Sequence, residues 1–251
     1  MTIELLKEKL LKEIGIDQNE TTISFQQWSD ISKGKDLSEL FIQTFHRHLN
    51  WVNITIYQKL SEHLITKFVH KIVWRHFYKN NVLTEDVIRK IAYSTYFKMD
   101  ELCQKQKLSE KFIKEYEYCL NWSYISSHQT LSEEFLRDYQ HKLNSRRISR
   151  CQVLSDEFIS DFNTSLNWDN ISEYQNLTDS TIAKFSDKIN WESYFNNKHS
   201  RFDLLKKHIA KTNFKDVSQF RINHLDKNEI LTLQKMMNVK NMFKIKKAIN
   251  C

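Results

Sequence analysis

The triplet Leu-Ser/Thr-Glu/Asp returns along this chain at a nearly constant interval, and that recurrence limits the fold more than any other feature. It starts at Leu37, Leu60, Leu83, Leu108, Leu131, Leu154 and Leu177, with spacings of 23, 23, 25, 23, 23 and 23 residues. The aligned unit reads L-S-E-x-F-I-x-x-F-x-x-x-L-N-W-x-x-I-S-x-x-Q-x and is cleanest between Leu154 and Asn176. A unit this short cannot bury its own apolar face, so it must stack on its neighbours.

Each position of the unit has a physical reading. The hydroxyls of Ser38, Ser61, Thr84, Ser109, Ser132, Ser155 and Thr178 are placed to cap a first helix, helix A. The acids behind them match the positive end of its dipole. The leucine before the cap and the apolar residue five positions on, as in Leu37 and Ile42 or Leu154 and Ile159, are spaced as a hydrophobic staple. Apolar residues then continue at four-residue intervals through Phe41, Phe45 and Leu49, or Phe158, Phe162 and Leu166. Asn50, Asn121, Asn144, Asn167 and Asn190 are second caps, opening a shorter helix B that turns Trp51 with Ile54, or Trp168 with Ile171, inward. Glutamine closes the unit at Gln58, Gln106, Gln129, Gln152 and Gln175, where its amide is expected to bond free carbonyls at a helix end.

Composition supports helices alone. Two glycines and no proline leave almost nothing for hairpins or strand edges. The fold class is therefore all-α: an α-solenoid of tandem two-helix repeats of about 23 residues. One helical-repeat domain is expected over residues 1–251. Residues 1–36 form an N-terminal helix and half-repeat cap containing Trp28 and Ile31, 37–199 hold seven clear repeats, and 200–251 hold divergent repeats forming a basic cap. Leu204, Leu205, Asn213, Phe214, Val217 and Ser218 keep the register there, and a weaker unit runs from Leu225 through Ile230, Leu233, Met237 and Asn238.

The series Leu-Ser-Glu-x-Phe-Ile through Asn-Trp-x-x-Ile-Ser-x-x-Gln resembles short tandem helical repeats in proteins of large nucleocytoplasmic DNA viruses, of the iridovirus, mimivirus and entomopoxvirus kind. The resemblance spans about residues 28–222. It implies a viral source, a helical-repeat fold and a place in the host cytoplasm, the virus factory or the virion. It carries over no catalytic or binding residue. No F-box-like or RING segment accompanies the repeats, because the first 27 residues are too few and no Cys/His ligand series occurs.

No apolar run approaches the roughly 18–20 residues that cross a bilayer, and residues 1–15 read as a charged amphipathic helix rather than a signal peptide. An intracellular protein is expected. Cys103, Cys119, Cys151 and Cys251 have no CxxC spacing and read as reduced thiols, with Cys103 and Cys151 in buried helix B positions.

Several chemistries lack their residues. Phosphate loops need clustered glycines, and Gly15 and Gly34 stand far apart. His46 and His48 are two positions apart on a helix and point to different faces, which suits surface histidines better than a metal site. The recurring serines are accounted for as caps, and the paired acids Glu133 with Glu134 and Asp156 with Glu157 as first-turn residues, so no nucleophile or general acid stands out. No enzymatic activity, cofactor or metal is expected. The tryptophans at 28, 51, 74, 122, 168 and 191 share one repeat position, which makes them core, with Trp191 and Phe195 the partly exposed pair beside the basic end.

Charge is unevenly placed: −2 over residues 1–36, zero over 37–197, and +9 over 198–251, where Lys206, Lys207, Lys211, Lys240, Lys244, Lys246 and Lys247 are prominent. Such a segment either solubilises the end of the stack or meets nucleic acid, an acidic protein or anionic lipid. One repeat also breaks its rule. Between Leu131 and Val153 the tryptophan position holds Ser145, followed by Arg146, Arg147 and Arg150, the kind of local conflict that either marks a binding site or reflects drift. Met99 makes a similar replacement in the lengthened unit from Leu83. The expected function is a protein-binding scaffold that engages a host or viral protein, with Arg146, Arg147, Arg150, Lys206, Lys207, Lys244, Lys246 and Lys247 as candidate contacts. Nucleic-acid binding through the basic repeats and a structural role in the virion are the alternatives.

Overall fold

A computed structural model of the chain describes residues 3–16, 23–34, 36–79, 81–208 and 226–236. Among these residues all regular structure is helical, in short helices spaced as a helical-repeat solenoid requires. The chain divides into two compact units, Met1–Asn121 and Trp122–Cys251.

In the first unit α1 (Ile3–Glu13) precedes α2 (Phe25–Lys33). The pairs α3 (Glu39–Phe45) with α4 (Trp51–Tyr57), α5 (Glu62–Lys67) with α6 (Trp74–Phe77), and α7 (Glu85–Ile91) with α8 (Met99–Lys105) follow, and then α9 (Glu110–Glu115). The second unit holds α10 (Trp122–His128), the pairs α11 (Glu133–Asp138) with α12 (Ser145–Cys151), α13 (Asp156–Asp161) with α14 (Trp168–Tyr174), and α15 (Asp179–Lys184) with α16 (Trp191–Asn196). It ends in α17 (Phe202–His208) and α18 (Lys227–Met236).

Local chemistry starts each helix where the repeat predicts. The side-chain oxygens of Ser38, Ser61, Thr84, Ser109, Ser132, Ser155 and Thr178 each accept the N–H three residues on. Asn50, Asn144, Asn167 and Asn190 do the same for helix B. Helix A then buries its stripe. Phe41, Ile42 and Phe45 close on Ile54, Leu64 and Phe68, while Leu10 of α1 and Trp28 of α2 seal the same cluster. Each such buried side chain contributes about 1.5–3 kcal/mol, so the stack holds chiefly by burial between repeats.

Polar residues of the repeat lock neighbouring helices B together. The buried Ser126, Ser149 and Ser172 donate to carbonyls one turn back, at Trp122, Ser145 and Trp168, and accept the N–H of Asn144, Asn167 and Asn190 in the next repeat at 2.9, 2.9 and 3.0 Å. Ser32 does the same for Asn50, and Thr55 for Val73, in the first unit. Gln58, Gln152 and Gln175 bond helix-end carbonyls as expected, but those of the preceding repeat, whereas Gln106 bonds Leu83 O at the start of its own. Gln152 Nε2 donates to Ser126 O at 3.0 Å and Gln129 O at 2.8 Å, and its Oε1 accepts from Leu131 N. The first-turn acids do more than meet the dipole. Glu133 accepts from both N and Oγ of Ser155, and Glu39 accepts from Ser61 Oγ, so each acid anchors the next repeat's cap.

Candidate partner-binding site

In three repeats the tryptophan position is a slot of one composition. Its indole lies against an aromatic ring seventeen residues on: Trp51 on Phe68 at 5.0 Å, Trp122 on Tyr139 at 5.3 Å, Trp168 on Phe185 at 5.1 Å between ring centres. A lysine twenty residues on covers it, with Lys71, Lys142 and Lys188 standing 5.6, 5.4 and 6.0 Å from those indoles. The indole N–H is satisfied by a carbonyl five residues back, His46 O for Trp51 at 2.9 Å and Asn163 O for Trp168 at 2.8 Å. Stacking, cation–π attraction and a hydrogen bond therefore all act on one side chain.

These three indoles are only partly buried, whereas Trp191 and Phe195 are 4% and 1% exposed. That reverses the expectation drawn from the neighbouring basic segment. The cause is α17, whose His208 stacks on Trp191 at 3.6 Å.

The repeat from Leu131 keeps the slot but not its occupant. Ser145 stands for the indole and Ser165 for the covering lysine, while Phe162 keeps the aromatic partner's place. A pocket of about 290 Å³ opens there, with Leu136, Ile148, Phe158, Phe162 and Leu166 as its apolar lining. The exposed Ser145 and Ser165 lie at its rim, as do Gln140 and His141. Arg137 lies over the Phe158 and Phe162 rings at 5.2 and 5.3 Å and pairs with Asp161 at 2.7 Å. None of the nine lining residues is acidic.

Helix α12 brings Arg146, Arg147 and Arg150 together on the surface beside this pocket, all three exposed. Their head groups part company. Arg147 donates to Ser127 Oγ at 3.3 Å, and Arg150 lies 4.9 Å over the Tyr174 ring. The Arg146 guanidinium meets no partner among the described residues, although its backbone carbonyl accepts from Asn170 Nδ2 at 2.8 Å. Of the lysines named as candidate contacts, Lys207 is exposed on α17, and Lys206 shares that helix with its side chain outside the description. Lys244, Lys246 and Lys247 lie outside the described residues. The sequence pointed to the arginines; the pocket beside them required the register of Ser165, a second lost residue twenty positions from the first.

Other groups with chemical potential are tied into packing. His46 lies against Phe68 and His48 against Trp28, each at 5.1 Å. His46 is half-buried rather than a surface residue, and burial, then Lys71, lowers its imidazole pKa. The Cys103 thiol is buried and pushed up to about 12 by desolvation, which makes it a poor nucleophile. Cys151 is exposed, contrary to expectation, because helix B turns that position outward. In the first unit Trp74 Nε1, Tyr78 Oη and Glu101 Oε2 are buried without a hydrogen-bond partner. They sit around the shortened α6 and the lengthened repeat that follows it.

Among the described residues no group of three His, Cys, Asp or Glu side chains is arranged to hold a metal ion. No helix there is long and apolar enough to cross a membrane. Comparison with protein-family models, curated proteins and solved structures finds no match to the chain.

Proposed function

We propose that this chain is a non-enzymatic scaffold of viral origin that holds a protein partner through the surface of its repeats, with α12 as the contact. The observation that carries this reading is the division of labour among polar residues. The recurring Ser, Thr, Asn, Gln and acidic positions serve caps and links between repeats. The non-recurring Arg146, Arg147 and Arg150 are exposed on α12, whose first residue, Ser145, lines an open apolar slot. Exposed arginine next to an open aromatic pocket is the composition of an interface centre.

A second reading has its own observation, the +9 charge of residues 198–251, which suits a nucleic-acid backbone. Affinity purification from infected or host cells separates the two. Wild type is compared with a variant in which Arg146, Arg147, Arg150, Lys244, Lys246 and Lys247 become Gln, with and without nuclease. A discrete protein that survives nuclease supports the scaffold. Recovery that depends on nucleic acid overturns it.

A further inference from the structure

We propose that the vacant slot beside Ser145 receives a tryptophan side chain presented by an acidic segment of the partner. This deepens the scaffold reading and rests on it. The occupant follows from the sister repeats, which fill the same slot with their own indole. Phe162 stands where Phe68, Tyr139 and Phe185 support an indole elsewhere. Gln140, five residues before Ser145, holds the place of the carbonyls of His46 and Asn163 that accept the indole N–H, and it lines the pocket. Truncation to serine at both 145 and 165 removes the indole and the lysine above it together, so the pocket reaches Phe162, whose ring also carries the Arg137 guanidinium at 5.3 Å.

The volume of about 290 Å³ is at the small end for a ligand pocket and suits one bicyclic side chain. Charge selects the flanking residues. The lining holds no acid, Arg146 is unpaired beside Ser145, and Arg147 is spent on a single long hydrogen bond. Acidic neighbours of the incoming tryptophan therefore find cations within reach, and basic neighbours are repelled.

The test uses the full chain and a short synthetic peptide with one fluorotryptophan between Asp and Glu residues, followed by fluorine NMR. Saturable binding to wild type is expected, weakened at least about tenfold by Ser145→Trp, which restores the internal indole, and tightened by Ser165→Lys, which restores the cation that stands over each sister indole. A peptide with alanine for tryptophan, and one with lysines for the acids, should bind at least about tenfold more weakly. Should Ser145→Trp misfold, Ser165→Lys remains decisive, because position 165 is exposed.

Equal binding by the folded variants, equal binding of the alanine peptide, or displacement of the peptide by an oligothymidylate whose own binding Ser145→Trp blocks would each overturn the proposal. The two readings fail separately. If wild type retains a nuclease-resistant protein and loses it on arginine replacement, yet ignores the peptide, the slot assignment falls and the scaffold stands. If only nucleic acid is recovered, the scaffold falls, and with it the partner assigned to the slot.

Discussion

Gln175 Nε2 donates to the carbonyl of Gln152, its counterpart one repeat earlier, at 2.8 Å. The same amide reaches Ser149 O at 2.9 Å, and its oxygen accepts from Leu154 N at 3.2 Å. One buried side chain thus satisfies three backbone groups that the loop between α12 and α13 leaves without partners. In the following repeat Asn197, one residue before the sequence counterpart of Gln175, makes two of the three bonds, to Ser172 O and Gln175 O, while its oxygen turns to its own loop at His199 N.

Gln175→Leu should lower stability by at least about 3 kcal/mol, since it leaves three buried backbone groups unpaired and each costs about 1–3 kcal/mol. Gln175→Asn should cost less, because it keeps an amide in the loop. Urea denaturation of the three proteins measures the order, and a leucine variant as stable as wild type would contradict this account of the loop.

Acid should weaken the Glu39 anchor. The Ser61 hydroxyl, then His63, holds the Glu39 carboxyl below the usual carboxylate range. Its folded pKa is thus lower than its unfolded one, so the stabilisation is full above the unfolded value and is lost as pH falls through the folded one. Glu39→Gln should be less stable than wild type near neutral pH, and the gap should close as the carboxylate range is crossed. A gap that stays constant with pH would mean the charge plays no part.

The thiols should separate cleanly by reagent. In a Cys251→Ser background, Cys119 and Cys151 are exposed and should react with an aromatic disulfide near pH 8 within minutes, at roughly the rate of ordinary accessible thiols. Cys103, buried with its pKa pushed up to about 12, should react only on unfolding. Rapid labelling of Cys103 by mass spectrometry would show that α8 opens readily.

Tyr78→Phe should be neutral or stabilising by up to about 1 kcal/mol. The Tyr78 hydroxyl is buried without a partner, so removing it relieves a desolvated group and loses no bond. Burial, then Glu101, also raises its pKa, so the phenol stays neutral across the working range. A marked loss of stability in calorimetry would reveal a hidden bond to this hydroxyl.

The caps were legible because they are local. Ser155 reaches an N–H only three residues away, and that geometry is the same in any helix, so the letters suffice. The partner of Ser149 was not legible. Its hydroxyl bridges its own helix to Asn167, eighteen residues on, and a serine after isoleucine looks the same whether or not a neighbour docks there. Exposure misled for a similar reason: Trp191 beside a basic segment looks peripheral until α17 lays His208 on it. The arginines of α12 stood out in the letters, but the pocket beside them did not.

By itself the sequence determined the period and the place where one repeat abandons its tryptophan, since these need only the order of the letters, and the helix starts and all-α class, which depend on residues within a turn or two of each other. Only the tertiary structure decided which repeat each glutamine and acid serves, and which indoles are sheltered. It alone showed that Ser145 and Ser165 open a single pocket over Phe162. Those outcomes depend on stacking, which brings side chains some twenty residues apart into contact and sets what each one buries.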